Sequence, residues 1–86
     1  MKIVYAKDAL KFLAKMEKKT VMQIRSAISG LTSVPPTGDI RMMQGYSDRR
    51  MRLRVGKYRV IFRYDKDSGT TYVYVIDIDS RGGIYK

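Results

Sequence analysis

Residues 50–63 read RMRLRVGKYRVIFR, and the alternation of charged and apolar residues in this stretch decides the fold. Successive side chains of a β-strand point to opposite faces, so residues 50–55 place arginines on one face and apolar residues on the other. The Gly56-Lys57 pair predicts a two-residue hairpin turn. Pairing across that turn brings the arginines of both strands to one side of the sheet. We call this side the arginine face, after Arg50, Arg52, Arg54, Arg59 and Arg63.

Two amphipathic helices are predicted before this hairpin. The first begins at Asp8, and the second begins near Thr20 and Gln23, which have the spacing of a capping box. The Pro35-Pro36 pair places the end of the second helix near residue 33. Apolar residues recur at helical spacing in both segments: Leu10, Phe12, Leu13 and Met16 in the first, and Val21, Ile24, Ile28 and Leu31 in the second.

Strands are predicted on both sides of the helices. They cover residues 2–6, 50–55, 58–64 and 71–78, and loops are predicted at 35–48 and 65–69. This order predicts a single α+β domain over residues 1–86. It begins with a short N-terminal strand, continues with two helices, and ends with a three-stranded antiparallel meander. The helices are expected to pack on one face of the sheet.

The composition excludes several classes of site. Cysteine and histidine are absent, which excludes disulfides, Cys/His zinc sites, thiol nucleophiles and a histidine general base. We expect no metal and no cofactor. Charged residues interrupt the N-terminal segment, so we expect neither a signal peptide nor a membrane span, and a cytoplasmic protein. A formal net charge of +10 favours a polyanionic partner such as nucleic acid.

The arginine face is expected to bind such a partner. Arg54 would lie directly opposite Arg59 across the hairpin, and like charges in that position destabilise a sheet by about a few tenths of a kcal/mol. Same-face neighbours lie about 6.6 Å apart along a strand, similar to the phosphate spacing of an extended single strand. Guanidinium groups bind phosphates bidentately and stack on bases, so this face suits single-stranded nucleic acid.

Simpler interpretations exist for each polar surface. The arginines could be the solvated side of a half-exposed antiparallel sheet, although the absence of an acid among them disfavours this. The lysines of the first helix are expected to form a solvated face. Tyr72, Val73, Tyr74 and Val75 are expected to be core and sheet residues rather than a platform for stacking bases.

Four segments together carry a more specific pattern. They are Met43-Gln44-Gly45, the basic strand Arg50 to Arg54, the run Gly56-Lys57-Tyr58-Arg59 with the apolar residues after it, and the tail from Arg81 to Tyr85. Their order and spacing, over nearly the whole chain, resemble the RelE/ParE superfamily of bacterial toxin-antitoxin systems, and in particular the RelE-like mRNA interferases.

The resemblance implies an endoribonuclease that inhibits translation. Such toxins cleave mRNA in the ribosomal decoding site, so the implied partners are mRNA, ribosomal RNA and a cognate antitoxin protein. The implied reaction is attack of a ribose 2′-OH on the adjacent phosphodiester, which leaves a 2′,3′-cyclic phosphate and a 5′-OH. It requires a base for the 2′-OH, stabilisation of charge on the phosphorane, and an acid for the leaving oxygen.

The resemblance also implies roles for individual residues. Arg59 and Arg81 would hold the scissile phosphate, and Arg81 would help the leaving group depart. Family members often carry lysines at the positions of Arg50 and Arg52, but arginine stays charged at physiological pH and is a poor base. Tyr85 is therefore our hypothesis for the general base, with its pKa lowered by neighbouring guanidinium groups. The remaining residues expected to contact RNA are Arg50, Arg52, Arg54, Arg63 and Lys57, the last also being a second candidate base.

Two other functions fit the same pattern. A ParE-like inhibitor of DNA gyrase shares the fold but binds a protein and cuts no RNA. A non-catalytic RNA-binding module of the same fold would explain why the lysines are missing. In either toxin class, an acidic or amphipathic antitoxin is expected to cover the arginine face.

Overall fold

The computed structural model describes residues 1–80, so Arg81 and Tyr85 lie outside the described residues. The chain forms a five-stranded sheet with two helices on one of its faces. The elements are β1 Lys2–Tyr5, α1 Lys7–Ala14, α2 Lys18–Ser29, a 3-10 turn at Gly30–Thr32, β2 Asp39–Met42, β3 Met51–Val55, β4 Tyr58–Asp67 and β5 Thr70–Ser80.

The order of strands in the sheet is β1-β5-β4-β3-β2. The last three strands pair as an antiparallel meander, β2 is added antiparallel to β3 at one edge, and β1 pairs in parallel with β5 at the other. This confirms the predicted α+β class and the predicted order of strand, two helices and meander. Parallel pairing of β1 with β5 requires a long crossover connection, which here contains both helices.

The hydrophobic core lies between the helices and the sheet. Side chains from alternate positions of β3, β4 and β5 meet side chains at helical spacing on α1 and α2. The Tyr64 hydroxyl donates a hydrogen bond of 2.7 Å to the Leu31 carbonyl oxygen and so ties β4 to the end of the helical segment. The buried members of this core are Ala9, Leu13, Ile24, Ile28, Leu31, Leu53, Val55, Val60, Phe62, Val73, Val75 and Ile78.

The helices differ from the prediction in two details. Thr20 is not a helix cap, because α2 begins at Lys18 and the Val21 amide already donates to the Glu17 carbonyl oxygen at 3.0 Å. On α1 the buried stripe is Ala9 and Leu13, whereas Leu10 is 51% exposed. Leu10 fits the helical spacing of a core residue as well as Leu13 does. Only the packing of α1 against β5 determines which of the two side chains is buried.

Two predicted loops are shorter than expected. Within 35–48, Asp39–Met42 pairs with β3 and places Ile40 opposite Leu53 on the core side. Four residues are too few to show a clear period of two. The loop at 65–69 was also wrong, since β4 continues to Asp67 and β5 starts at Thr70. Ser68 and Gly69, with φ values of 52° and 83°, form the whole turn.

Candidate nucleic-acid interface

The β3–β4 hairpin positions the arginine face as predicted. Arg54 lies opposite Arg59 and Arg52 lies opposite Ile61, so the predicted register is confirmed. Gly56 has a φ of +58°, which a turn of this type requires at its first central position. The arginines of β3 and β4 therefore point away from the helices, and Leu53 and Val60 point into the core.

Asp48 joins the two arginines farthest from the turn. Arg50 donates to its carboxylate through Nε at 3.0 Å and Nη2 at 2.8 Å, and Arg63 donates through Nη1 at 2.9 Å. Arg50 and Arg63 are not paired in the β3–β4 ladder, which ends at Met51 and Phe62. The carboxylate between the guanidinium groups offsets their repulsion, and the hydrogen bonds from Arg50 lower the pKa of Asp48 to about 2.

Asp39 has a similar position at the edge of the sheet. Its carboxylate lies 3.7 Å from Nη2 of Arg52 and 3.9 Å from Nε of Arg54. The Arg52 side chain is mostly covered, and its Nε is buried with no hydrogen-bond partner among the described residues. Arg54 has the more accessible guanidinium, with 42% of its side chain exposed. Arg54 is therefore well placed to meet a ligand from solvent.

Arg59 occupies the floor of the face. Only 4% of the residue is exposed, although it lies between Arg54 on β3 and Asp79 on β5 in the ladder. A buried guanidinium in a fixed position can act on a ligand only through the part of its surface that the neighbouring side chains leave open. Arg59 therefore lies on the face as predicted, and because it is buried it is also part of the packing of the sheet.

The arginine face is not free of acids, contrary to expectation. Carboxylates interleave with the guanidinium groups because β2, β5 and the segment before β3 all contribute aspartates. The acids on this side or at its edge are Asp39, Asp48, Asp65, Asp77 and Asp79. Asp39, Asp77 and Asp79 come from different segments than the arginines, so the sequence does not show that they are neighbours. Asp48 and Asp65 are local partners, because each lies two residues from the arginine that donates to it, Arg50 and Arg63 respectively.

A cleft of about 290 Å³ opens on this face. Burial raises the pKa of the Asp77 carboxyl within it, and the nearby Asp79 and Asp8 carboxylates raise it further. The guanidinium of Arg50 lies 4.2 Å from the centre of the Tyr46 ring at the other wall. The lining residues are Met43, Tyr46, Arg50, Ile61, Ile76, Asp77 and Asp79. An aromatic ring, a cation and carboxyls thus border a space beside the arginines.

A family model for the ParE toxin of type II toxin-antitoxin systems matches residues 3–85. The chain belongs to the ParE toxin family. It is thus the toxin of a type II toxin-antitoxin system, with the RelE/ParE fold. A sequence comparison with curated proteins gives no match.

Solved structures share the fold of this ParE-family toxin at low sequence identity. The archaeal RelE-RelB complex from Pyrococcus horikoshii is 21% identical over 94% of both chains, with a TM-score of 0.73. A YoeB/ParE toxin from Agrobacterium tumefaciens is 17% identical over 93% of this chain and 98% of that one, with a TM-score of 0.74. The RelBE2 toxin-antitoxin complex from Mycobacterium tuberculosis is 21% identical over 93% and 96%, with a TM-score of 0.72.

Within residues 1–80, the remaining predicted site residue of the ParE-family toxin is Lys57. Lys57 lies in the hairpin turn with its Nζ 5.6 Å from the ring centre of Tyr58, which packs on the helix side, so Lys57 is not brought to the arginine face. Residues 1–80 contain no group of three acids that could hold a metal ion. No helix in that part of the chain is both long and apolar enough to cross a membrane.

Two tyrosines of β5 in the ParE-family toxin face away from the core, which the sequence did not predict. Val73 and Val75 are fully buried in the core, as expected, but Tyr72 and Tyr74 point to the opposite side of β5. The guanidinium of Arg63 lies 5.2 Å from the centre of the Tyr74 ring. The strict alternation of valine and tyrosine in 72–75 was a signal for this, because one of the two sets has to face away from the core.

Proposed function

We propose that this toxin is a ribosome-dependent mRNA endoribonuclease of the cytoplasm, held inactive by a cognate antitoxin. One observation carries the proposal: Arg52, Arg54 and Arg59 come together on one face from two adjacent strands, beside an open cleft. Cationic donors fixed in this way suit the developing charge of a phosphorane, because they need no reorganisation during the reaction. The partners are then mRNA, ribosomal RNA and an antitoxin that covers this face.

The reaction places definite demands on the residues. A base removes the proton from the ribose 2′-OH, the 2′ oxygen bonds to phosphorus, and the bond from phosphorus to the 5′ oxygen breaks as that oxygen receives a proton. We assign the base to Tyr85, the phosphate contact to Arg59 and Arg81, and assistance to the leaving oxygen to Arg81. These assignments rest on the family resemblance. In this scheme Arg54 is the exposed cation that guides the RNA backbone towards Arg59.

Inhibition of DNA gyrase is the second candidate function. The family model carries the ParE name. In addition, Asp39 and Asp48 form ion pairs with four of the five arginines on the face. A face of interleaved charges of both signs suits a protein surface as well as it suits RNA, because charge complementarity between proteins uses both signs. An assay must therefore separate the two functions.

Primer extension on an mRNA translated in a purified system tests the proposal. We expect the toxin to produce cuts inside codons only when ribosomes are present. Tyr85→Phe and Arg81→Ala should abolish the cuts. Tyr58→Phe and Arg25→Ala are the matched controls, since both residues lie on the helix side, and they should cleave normally.

Intact mRNA with the unmodified toxin would overturn the proposal. A DNA supercoiling assay would then decide between the remaining functions, because a gyrase inhibitor blocks supercoiling and an RNA-binding module does not. Normal cleavage by Tyr85→Phe would remove Tyr85 from the mechanism and leave the endoribonuclease in place.

A further inference from the structure

A second cleft lies on the same side of the sheet, at the end away from the β3–β4 turn. Its volume of about 420 Å³ falls within the range of small-molecule sites. β1 and β5 form its floor, because Lys2 pairs with Tyr72 and Val4 pairs with Tyr74 in the parallel ladder. Its lining consists of Lys2, Val4, Asp67, Thr70, Tyr72 and Tyr74.

The two tyrosines of this cleft do not belong to the core. Val73, between them, is fully buried under the helices, and successive side chains of a strand point to opposite faces. Both rings are half-buried and face the cleft. Their partners on β1 are Lys2 and Val4, which are too narrow to cover an aromatic face, and their partners on β4 are Asp65 and Arg63. The guanidinium of Arg63 lies over part of the Tyr74 ring, so the ring surfaces that remain accessible to a flat ligand are those towards Lys2 and Val4.

The cleft is continuous with the arginine face. Arg63 lies opposite Tyr74 in the β4–β5 ladder, and its guanidinium lies 5.2 Å from the centre of the Tyr74 ring. Asp48 and Asp65 hold that guanidinium in place. Arg59 and Arg63 are four residues apart on one strand, so about 13 Å separates them. This is about two same-face spacings, or two nucleotides of an extended strand on our estimate.

We propose that the cleft formed by Lys2, Tyr72 and Tyr74 is a nucleobase subsite, which stacks an unpaired base of single-stranded RNA about two nucleotides from the phosphate at Arg59. The proposal rests on the proposed function, because it takes the mRNA as the strand that crosses the arginine face. Stacking on aromatic rings tolerates any base. Lys2 contacts the adjacent phosphate, and the Asp67 carboxylate accepts from the amino or imino groups of a base.

The charges in the cleft also favour one orientation of the nucleotide. A phosphate is attracted to the ammonium of Lys2 and the guanidinium of Arg63, and it is repelled by the carboxylate of Asp67. The base therefore enters the cleft while its backbone stays near these two cations and away from Asp67. A small free nucleotide would meet the same groups, but only a longer strand contacts the arginine face at the same time.

A double-mutant cycle with abasic RNA tests the subsite by binding alone. The probe is a fluorescein-labelled 2′-O-methyl dodecauridylate, which lacks the free 2′-OH that cleavage requires. A series of such strands carries one abasic residue at each successive position. For the unmodified toxin we expect an affinity loss of about tenfold at one position of the series. Tyr72→Leu with Tyr74→Leu should show the same loss with the intact strand and no further loss with the abasic one.

Tyr72→Phe with Tyr74→Phe is the matched control, since it keeps both rings. It should retain both the affinity and the penalty for the abasic strand. Thermal unfolding of each variant verifies that the leucine protein is folded. If the leucine variant is folded and keeps the abasic penalty of the unmodified toxin, the subsite is overturned.

The outcomes for the subsite and for the proposed function are separable. Binding with an abasic penalty that the leucine variant loses, but without cuts in translated mRNA, would support the subsite and overturn the endoribonuclease. Cuts in translated mRNA, together with an abasic penalty that the leucine variant keeps, would support the endoribonuclease and overturn the subsite. If the leucine variant loses affinity for polyglutamate and keeps its affinity for RNA, the cleft binds an acidic protein partner, and the subsite is overturned.

Discussion

Asp48 shows how a single carboxylate organises the arginine face. It accepts hydrogen bonds from Arg50 and Arg63, which come from opposite sides of the hairpin. Without it these cations would repel each other across the end of the ladder, and the guanidinium of Arg63 would lose one of its two anchors. The pKa of Asp48, lowered to about 2, reports that the folded state favours its ionised form.

This shift predicts an acid-dependent loss of stability. A lowered pKa in the folded state stabilises the fold above the ordinary value of 3.8, and the contribution disappears as the pH falls from there to about 2. We expect Asp48→Asn to lower the melting temperature at pH 7 and to match the unmodified protein at pH 2. Thermal unfolding followed by circular dichroism across this range measures both. An equal deficit at pH 2 would mean that Asp48 acts by packing rather than charge.

Substitution by alanine is expected to affect RNA binding at Arg54 and protein stability at Arg59. Arg54 is exposed, so Arg54→Ala should reduce the salt slope of RNA binding by about 0.7 while changing the unfolding free energy by less than about 0.5 kcal/mol. Arg59 is buried, so Arg59→Ala should lower the unfolding free energy by about 2 to 4 kcal/mol. Urea denaturation and fluorescence anisotropy at several salt concentrations separate the two. Similar stability losses in both variants would contradict the assigned burial.

At the scale of elements, local signals succeeded where a turn and its strands are adjacent in sequence. The register of β3 and β4 follows from Gly56 and from the alternation around it, and both are visible in the sequence. The helix start predicted from the capping box at Thr20 was wrong, because α2 begins two residues earlier, at Lys18. Strand β2 was missed because four residues carry little periodicity and gain their structure from pairing with β3.

The β4–β5 turn gives a prediction for one such element. Ser68 and Gly69 both have positive φ, which matches a type I′ turn, and asparagine adopts this conformation more readily than serine. Ser68→Asn should raise the unfolding free energy by about a few tenths of a kcal/mol. Ser68→Val should lower it by about 1 to 2 kcal/mol, because a branched side chain is strained there. Urea denaturation measures both changes, and a neutral Ser68→Val would contradict the turn geometry.

At the scale of the molecule, the site was only partly predictable. The arginines of the face can be predicted from one stretch of sequence, 50–63. Their acidic partners Asp39, Asp77 and Asp79 reach the face only because β2 and β5 flank the hairpin, and that strand order depends on long-range packing. The interleaving of both charges is a tertiary property. For the same reason, the net charge of +10 could not be assigned to a surface before the fold was known.

The fold distributes that charge unevenly. The arginine face carries as many aspartates as arginines, whereas the helical layer has few acids, Asp8 and Glu17, among its exposed cations. Those cations are Lys7, Lys11, Lys15, Lys18, Lys19 and Arg25. Long-range attraction depends on the summed charge rather than on contacts. The helices should therefore draw a polyanion towards the toxin, while the arginine face determines how it binds.

Charge reversal on the helices tests this division. Lys11→Glu with Lys18→Glu should slow the association of a labelled dodecauridylate several-fold at low salt and leave its dissociation rate nearly unchanged, because both side chains are exposed and lie on the helical layer. Lys11→Gln with Lys18→Gln is the matched control and should give about half the effect on the logarithm of the rate. Stopped-flow fluorescence measures both rates, and salt near 1 M, where the Debye length is about 3 Å, should remove the difference. A faster dissociation in the glutamate variant would instead mean that the helical lysines contact the RNA directly, and the two layers of the toxin would then share the binding site.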